Sequence, residues 1–449
     1  MYKSKYLFLS LVLLFTLSGL RAQEIRSFSL QEALDYAMTN NYDIMKSEKD
    51  IEIAKKRITE STAMGLPQIN GSIDYTDNFA RPTMIMPPEF SPDGQPLEIQ
   101  FGTKYDAALG ASISQLVFSG EYLVGLKASK KYLETTNVDF FKNKVAVKQQ
   151  VANSYYAVLT TKKGLEIIDT TLRVTRGLAE ETRQIYEVGF SEDLDVDQME
   201  LLVSDLEASK LYFESQLKLT HAFLNFYLGL NNNDSIILED NLEALLEKQE
   251  LSDILLTEFN VNINPDYYSL LKQKELQSLQ INLEKASFMP TLNANVYYRT
   301  QAQRDVWNFF VFDDNHKWYN SSALGVNLSI PIFSSGMRSS KLKQARLVVE
   351  QMEIMENQLE DQLNLQYDNL RTEYINTYKV YVNKNKNRKI AEKIYLKTTE
   401  KYKQGLASSL DILNTHNQFL NAERDYLSAS QAFLQSGEEL KKILTETVY

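Results

Sequence analysis

Histidines and clustered carboxylates are the groups of this sequence that could ligate metals or transfer protons. The three histidines, His221, His316 and His416, are scattered, and none belongs to a recognisable zinc-binding spacing. Neither a G-x-x-x-x-G-K phosphate loop nor a G-x-S-x-G nucleophile turn occurs. Most carboxylates fall on long helical faces, where charge usually solvates the surface. These residues indicate neither an enzyme nor a bound cofactor.

The densest carboxylate group surrounds a candidate turn. Asp195 is accompanied by three further acidic residues: Glu192, Asp193 and Asp197. Acidic side chains are common at helix N-termini because they interact favourably with the helix dipole. From the residues alone we expect that role for Asp195 and Asp411, and a packing role for Tyr402.

The two halves of the chain carry the same landmarks in the same order. The pattern Y-x-x-G-x-x-x-x-L-D begins at Tyr186 and again at Tyr402, an offset of 216 residues (402 − 186). Upstream, Phe118–Gly120 matches Phe333–Gly336, and the glycines keep that offset. Ordered matches indicate duplication, so two structural repeats are predicted.

Each repeat is predicted to contain an opening helix, two strands and two long helices. A capping box at Ser29 and Glu32 starts the first opening helix, and Asn264-Pro265 starts the second. Pro67 and Pro290 prevent these helices from continuing. Alternation of period two then predicts strands at about residues 69–79, 104–118, 291–301 and 320–333.

The alternation gives each strand one apolar and one polar face. On the apolar face we expect Leu109, Ile113, Val296, Tyr298, Val326 and Leu328. Soluble sheets show the same period, but these strands are long enough to cross a bilayer, which favours lipid as the neighbour of that face. Segments 80–103 and 302–318 are predicted to be long external loops.

The long helices are predicted at about residues 120–188, 194–228, 336–404 and 410–445. The two longest contain no proline, and their apolar residues recur every three or four positions. A helix of such length extends about 100 Å at 1.5 Å per residue, which predicts coiled-coil-like rods. Gly189 and Gly405 suit the left-handed conformation that ends a helix.

The N-terminus predicts export. Lys3 and Lys5 precede the apolar run Tyr6–Leu17, which is typical of a secretory signal peptide cleaved after Ala22. The absence of cysteine excludes a disulfide framework, and the net charge of −11 argues against nucleic acid as a partner. The predicted divisions are the signal peptide (1–22), the first repeat (23–230), the linker (231–263) and the second repeat (264–449).

Four strands are too few for a transmembrane barrel, because the smallest barrels have eight and open edges are not tolerated in lipid. Three protomers would supply twelve. We therefore predict a mixed α and β membrane protein in which copies of the chain share one transmembrane β-barrel, continued outside the bilayer by a tube of long helices.

Several motifs resemble outer-membrane efflux proteins of the TolC type. They are S-L-x-E-A-L at Ser29–Leu34, L-P-x-I-N at Leu66–Asn70, Q-L-x-F-x-G at Gln115–Gly120, P-x-F-x-x-G at Pro331–Gly336, and both Y-x-x-G-x-x-x-x-L-D turns. Their order and spacing cover nearly the whole mature chain. The resemblance implies a homotrimer in contact with outer-membrane lipid, a trimeric 12-stranded transmembrane β-barrel continued by a long periplasmic α-helical barrel, with most of the chain in the periplasm. It also implies a periplasmic adaptor protein that couples the trimer to an inner-membrane pump.

The resemblance assigns roles to residues at the helix-turn tips. A hydrogen bond from Tyr402 to Asp195 is expected to hold the tip closed, and Asp411 to line its constriction. The adaptor-docking turns would be formed by Gly189, Phe190, Gly405 and Leu406. Ala407 and Asn414 depart from the family pattern, which has arginine and aspartate there.

The predicted function is that of a passive duct in a tripartite efflux or type I secretion system. The alternative is a non-channel periplasmic or surface coiled-coil structural protein. That alternative explains the long helices and the acidic charge, but not strands at the same place in both repeats. Drug, metal and protein substrates all stay open, since a passive duct takes its substrate from its pump.

Overall fold

The computed structural model describes residues 26–90, 92, 94–249 and 251–446. The predicted signal peptide lies outside the described residues. The chain forms two compact units. One comprises Glu52–Thr136 and Leu271–Ile354, and the other comprises the segments up to Ile51, Asn137–Leu270 and from Met355.

The described residues form the following strands and helices. In chain order the strands are β1 (Arg26–Phe28), β2 (Gln68–Asp77), β3 (Thr83–Met86), β4 (Leu97–Gln100), β5 (Tyr105–Ser119), β6 (Ile236–Leu238), β7 (Thr291–Arg304) and β8 (Tyr319–Ser329). The helices are α1 (Leu30–Asn40), α2 (Tyr42–Ala63), α3 (Gly120–Glu187), α4 (Asp193–Leu228), α5 (Leu242–Lys248), α6 (Leu251–Leu256), α7 (Pro265–Ala286), α8 (Met337–Lys403) and α9 (Ser409–Ile443).

The first long helical segment before the sheet, residues 30–63, differs from its prediction. Its predicted capping box is present, with the Ser29 amide donating to Glu32 Oε2 at 2.9 Å. The helix then breaks at Asn41, which has extended backbone angles. The Asn41 side chain accepts from the Asp43 amide at 2.8 Å and so starts α2. One predicted helix is therefore two.

The main sheet is antiparallel, with strand order β2-β5-β7-β8. Its last strand was predicted to reach residue 333 but ends at Ser329. Pro331 follows closely, and proline has no N–H to donate to a neighbouring strand. Segment 80–103, predicted as a loop, contains the short hairpin formed by β3 and β4.

The other unit is organised around α3. Its buried face includes Val151, Tyr155 and Leu159, which recur at a four-residue spacing. The Tyr155 hydroxyl donates to the carbonyl of Phe28 at 2.9 Å and lies 3.0 Å from Asp240 Oδ2. These contacts attach β1, and β6 beside it in a parallel pair, to the middle of the long helix.

Among the helices of the described residues, none combines the length and the apolar character needed to cross a membrane.

Candidate functional site

The register of the four-stranded sheet sorts its side chains onto two faces. Ile113 pairs with Val296, and Val296 pairs with Leu324. Directly paired residues of antiparallel strands share a face. One face therefore carries Ile69, Ile73, Tyr75, Leu109, Ile113, Val296, Tyr298, Leu324, Val326 and Leu328. This set includes all six residues predicted for the apolar face.

The apolar face lies on the surface of the chain. Ile73 is 83% exposed and Val326 is 67% exposed. The opposite face is polar and carries Asn70, Ser72, Asp74, Ser112, Ser114, Asn293, Asn295, Arg299 and Asn327. A sheet of a soluble domain normally packs its apolar face on a core. Here that face is left open, an arrangement suited to lipid on one side and water on the other.

The turns that follow α3 and α8 share one structure. Gly189 has a φ of 80° and Gly405 a φ of 72°, both in the left-handed region. The Gly189 amide donates to the carbonyl three residues back at 2.8 Å, and the Phe190 amide to the carbonyl five residues back at 3.0 Å. Gly405 and Leu406 make the equivalent bonds at 2.9 and 2.8 Å. This is the Schellman arrangement, which satisfies carbonyls at a helix end.

The residue after each glycine is strongly exposed. Phe190 is 86% exposed, and Leu406 is 72% exposed. Both turns therefore present an apolar side chain outward from a rigid helix end.

Asp411 caps the N-terminus of α9, as expected from the residues alone. Its Oδ2 accepts from the backbone amide of Ser408 at 2.9 Å and from the Ser408 hydroxyl at 2.7 Å. These bonds, the backbone one first, hold the pKa of the Asp411 carboxyl below its usual range. Asp411 is exposed and carries a full negative charge at neutral pH.

Asp195 occupies the same position at the start of α4. Its Oδ2 accepts from the Ser191 hydroxyl at 2.9 Å and from the Glu192 amide at 3.3 Å. Its Oδ1 accepts from the hydroxyl of Ser409, at the start of α9. The Ser409 bond above all, with those from Ser191 and Glu192, lowers the pKa of the Asp195 carboxyl.

The predicted hydrogen bond from Tyr402 to Asp195 is absent, which corrects the expectation. The Tyr402 hydroxyl instead lies 2.7 Å from the Thr182 hydroxyl. Thr182 donates its own proton to the Leu178 carbonyl at 2.8 Å, so its oxygen is left to accept from Tyr402. Both Asp195 oxygens already accept other bonds. Burial raises the pKa of the Tyr402 hydroxyl, which stays protonated as a donor.

A small apolar cluster lies beside these bonds. Its members are Leu178, Met199, Leu202 and Ile412, with Tyr402 packed against them. Leu178 comes from α3, Met199 and Leu202 from α4, and Ile412 from α9. The α3–α4 and α8–α9 hairpins are thus joined by packing, by the hydrogen bonds of Tyr402 to Thr182 and Ser409 to Asp195, and by an exposed ion pair between Lys403 and Glu181 at 3.4 Å. We call this set the tip junction.

Thr182 and Ser409 were not singled out from the sequence, and His416 was named there only as an isolated histidine. His416 is fully buried and lies edge-on to Tyr395, with ring centroids 5.5 Å apart. Burial lowers the pKa of His416 to about 4. Neither of its ring nitrogens makes a hydrogen bond within the described part of the chain. Across the same residues, no group of three or more His, Asp or Glu side chains is arranged to hold a metal ion.

The profile of the family described as outer membrane efflux protein matches residues 33–230 and 264–446. The outer membrane protein TolC of Vibrio cholerae is 22% identical over 339 residues, which are 73% of this chain and 70% of that protein. TolC of Salmonella enteritidis is 21% identical over 336 residues, which are 71% of this chain and 62% of the Salmonella protein. This match therefore spans less than two thirds of that relative.

Solved structures show the fold. The outer membrane protein VceC of Vibrio cholerae superposes with a TM-score of 0.66 at 16% identity, covering 93% of this chain and 96% of that one. The CmeC outer membrane channel of Campylobacter jejuni gives a TM-score of 0.67 at 16% identity, covering 92% and 85%. The chain shares their mixed helical and β fold. The predicted resemblance to TolC-type proteins and the predicted outer-membrane location are confirmed. The chain belongs to the outer membrane efflux protein family.

Proposed function

We propose that this chain is the protomer of a passive outer-membrane duct, the exit component of a tripartite efflux or type I secretion system. The observation that carries the proposal is the four-stranded sheet with one exposed apolar face and one polar face. Such a sheet matches lipid on its outside and a water-filled passage on its inside. The alternative, a coiled-coil structural protein, does not explain a sheet of this kind.

Closing the passage requires further copies of the chain. In the order β2-β5-β7-β8, strands β2 and β8 are the edges, and lipid does not tolerate their unpaired N–H and C=O groups. Each neighbour in the sheet is antiparallel, so β2 and β8 run in opposite directions. The β8 of one protomer can therefore pair antiparallel with the β2 of the next. Three copies give twelve strands, within the known range of barrels.

The long helices would form an α-helical barrel in the periplasm, open to the passage through the β-barrel. A periplasmic adaptor would dock on the turns at Gly189-Phe190 and Gly405-Leu406, whose exposed Phe190 and Leu406 offer apolar anchors. The adaptor would couple the duct to an inner-membrane pump, which supplies energy and selects the cargo.

We further propose that the tip junction acts as the gate. Its two hydrogen bonds tie the hairpins of the two repeats together. Three copies of the exposed Asp411 would form a ring of carboxylates at the entrance, which attracts cations and repels anions.

The proposal is tested by crosslinking the sheet edges. Since the chain has no cysteine, an introduced pair reports on a single contact. Pairs combining Asn70→Cys or Ser72→Cys with Ala323→Cys or Gly325→Cys place thiols on the polar faces of β2 and β8. Oxidation in intact outer membranes should link copies into dimers and trimers.

A matched control pair lies inside the sheet. Ser112 and Tyr297 are direct partners in β5 and β7, so Ser112→Cys with Tyr297→Cys should crosslink only within one chain. If this control forms its bond while no edge pair links two copies in any register, the shared barrel is wrong.

A further inference from the structure

The segment between β7 and β8, residues 305–318, is an ordered aromatic loop. Its centre is Phe309, which is 5% exposed. The rings of Tyr75, Trp307 and Trp318 surround it with centroid distances of 6.1, 6.3 and 6.1 Å. The Trp318 indole N–H donates to the Phe309 carbonyl at 3.2 Å. Aromatic packing and a hydrogen bond thus stabilise this conformation of the loop.

The aromatic loop folds onto the apolar side of the sheet. Tyr75, which contacts Phe309 edge-on, belongs to the apolar face because it pairs with Ala107 next to the Ile73–Leu109 pair. The loop therefore continues the apolar face beyond the ends of the strands, on the side opposite the polar face.

Part of the outer surface of the aromatic loop is apolar as well, beside the exposed carboxylates of Asp305, Asp313 and Asp314. Phe310 is 78% exposed, Phe312 is 76% exposed and Val306 is 68% exposed. Trp307, 56% exposed, packs against Phe310 with centroids 5.9 Å apart. Exposing these apolar side chains to water is unfavourable. Contiguous exposed apolar patches of this kind mark sites that contact a partner or a membrane.

We propose that the aromatic loop is an anchor that inserts into the boundary between headgroups and acyl chains of the outer leaflet. This inference rests on the proposed function, which places the apolar face against lipid. Lipid is favoured as the occupant because the loop is continuous with that face. Aromatic side chains are also the residues that concentrate at the edges of the apolar band of barrels.

Trp307 makes the proposal directly measurable, since Trp307 and Trp318 are the two tryptophans of the chain. The Trp318→Phe variant leaves Trp307 as the sole indole emitter. The assembled protein would be placed in vesicles containing lipids brominated near the headgroup. We expect these lipids to reduce Trp307 emission several-fold more than dissolved acrylamide does, and the emission maximum to be blue-shifted from that of exposed indole.

Two other outcomes would overturn the proposal. Strong quenching by acrylamide with none by brominated lipid would place Trp307 in water. Shielding from both quenchers would mean that a neighbouring copy of the chain covers the loop. Because Trp318→Phe removes a hydrogen bond of the loop, the difference in emission between the wild type and Trp307→Phe gives an independent measurement.

Two more variants complete the test. Phe310→Ser with Phe312→Ser should lose most lipid quenching of Trp307 and gain acrylamide quenching. Val326→Trp, in a chain carrying Trp307→Phe and Trp318→Phe, reports on the strand face itself. If deeply brominated lipid quenches Val326→Trp while Trp307 is not quenched, the anchor is wrong and the proposed function stands. If neither is quenched, the proposed function fails too.

Discussion

Removing both hydrogen bonds of the tip junction should open the proposed gate. Tyr402→Phe deletes the bond to Thr182 but keeps the ring in the apolar cluster, and Ser409→Ala deletes the bond to Asp195. A bond between neutral hydroxyls contributes about 0.5–1.5 kcal/mol, and one to a carboxylate about 1.5–3 kcal/mol. If both form only in the closed tip, their loss totals about 2–4.5 kcal/mol per protomer.

That free energy corresponds to a shift in the closed-to-open ratio of about one and a half to three orders of magnitude. The Asp195 carboxyl is partly exposed, so solvent screening favours the lower end of this range. The assay is single-channel recording in planar bilayers. The double variant should show a higher open fraction or a higher conductance than the wild type.

A matched control removes the same atoms from the same helices. Tyr378→Phe with Ser428→Ala breaks no side-chain hydrogen bond that the described residues make, and should behave as the wild type. A double variant at the tip that records like the wild type, or a control that opens the channel equally, would refute the role of the tip junction.

Three further predictions test other parts of the account. Placing an arginine at Val326 should cost about 2–4 kcal/mol of folding free energy in the membrane, so Val326→Arg should lower the yield of heat-resistant assembly on gels. Asn327→Arg, on the polar face, should not lower this yield, and equal yields for the two variants would contradict the assigned faces. Asp411→Asn should reduce cation preference and block by multivalent cations in bilayer recordings, and unchanged reversal potentials would exclude a carboxylate ring. The pKa of His416 is lowered to about 4, so the unfolded chain takes up its proton first as pH falls. The free energy of unfolding should therefore fall by about 3 kcal/mol between pH 6.5 and pH 4. Thermal unfolding of His416→Leu should lack this part of the pH dependence.

Periodicity located the elements well, because long strands and helices impose their repeat on many residues at once. The bounds of α3 and α4 follow from features readable in sequence: Gly120 is the first residue of α3, Gly189 lies just beyond its end, and Asp195 stands in the first turn of α4. The early end of β8 was also readable, since Pro331 cannot donate to a neighbouring strand.

Hydrogen-bond partners at the tip were not predictable in the same way. The repeat offset located Tyr402 and Asp195 at corresponding turns, but several hydroxyls lie within a turn of each. Thr182 was available because it donates along its own helix and leaves its oxygen free to accept. Ser409 reaches Asp195 only when the α3–α4 and α8–α9 hairpins pack together. Such choices depend on contacts between segments about 200 residues apart, which no local pattern encodes.

The aromatic loop was missed for a similar reason. Its composition predicted an external loop, yet nothing local shows that Phe309 would be buried beneath Tyr75, more than 200 residues earlier in the chain. Ring packing across that separation converts an exposed segment into a fixed apolar surface.

The central claim is that copies of this chain share one barrel, and the mass of the assembled protein tests it most directly. Native mass spectrometry of the mature protein, released from lipid nanodiscs, should give three times the protomer mass as the dominant species. A dominant monomer under those conditions would contradict the account, because a single four-stranded sheet with open β2 and β8 edges does not persist in lipid.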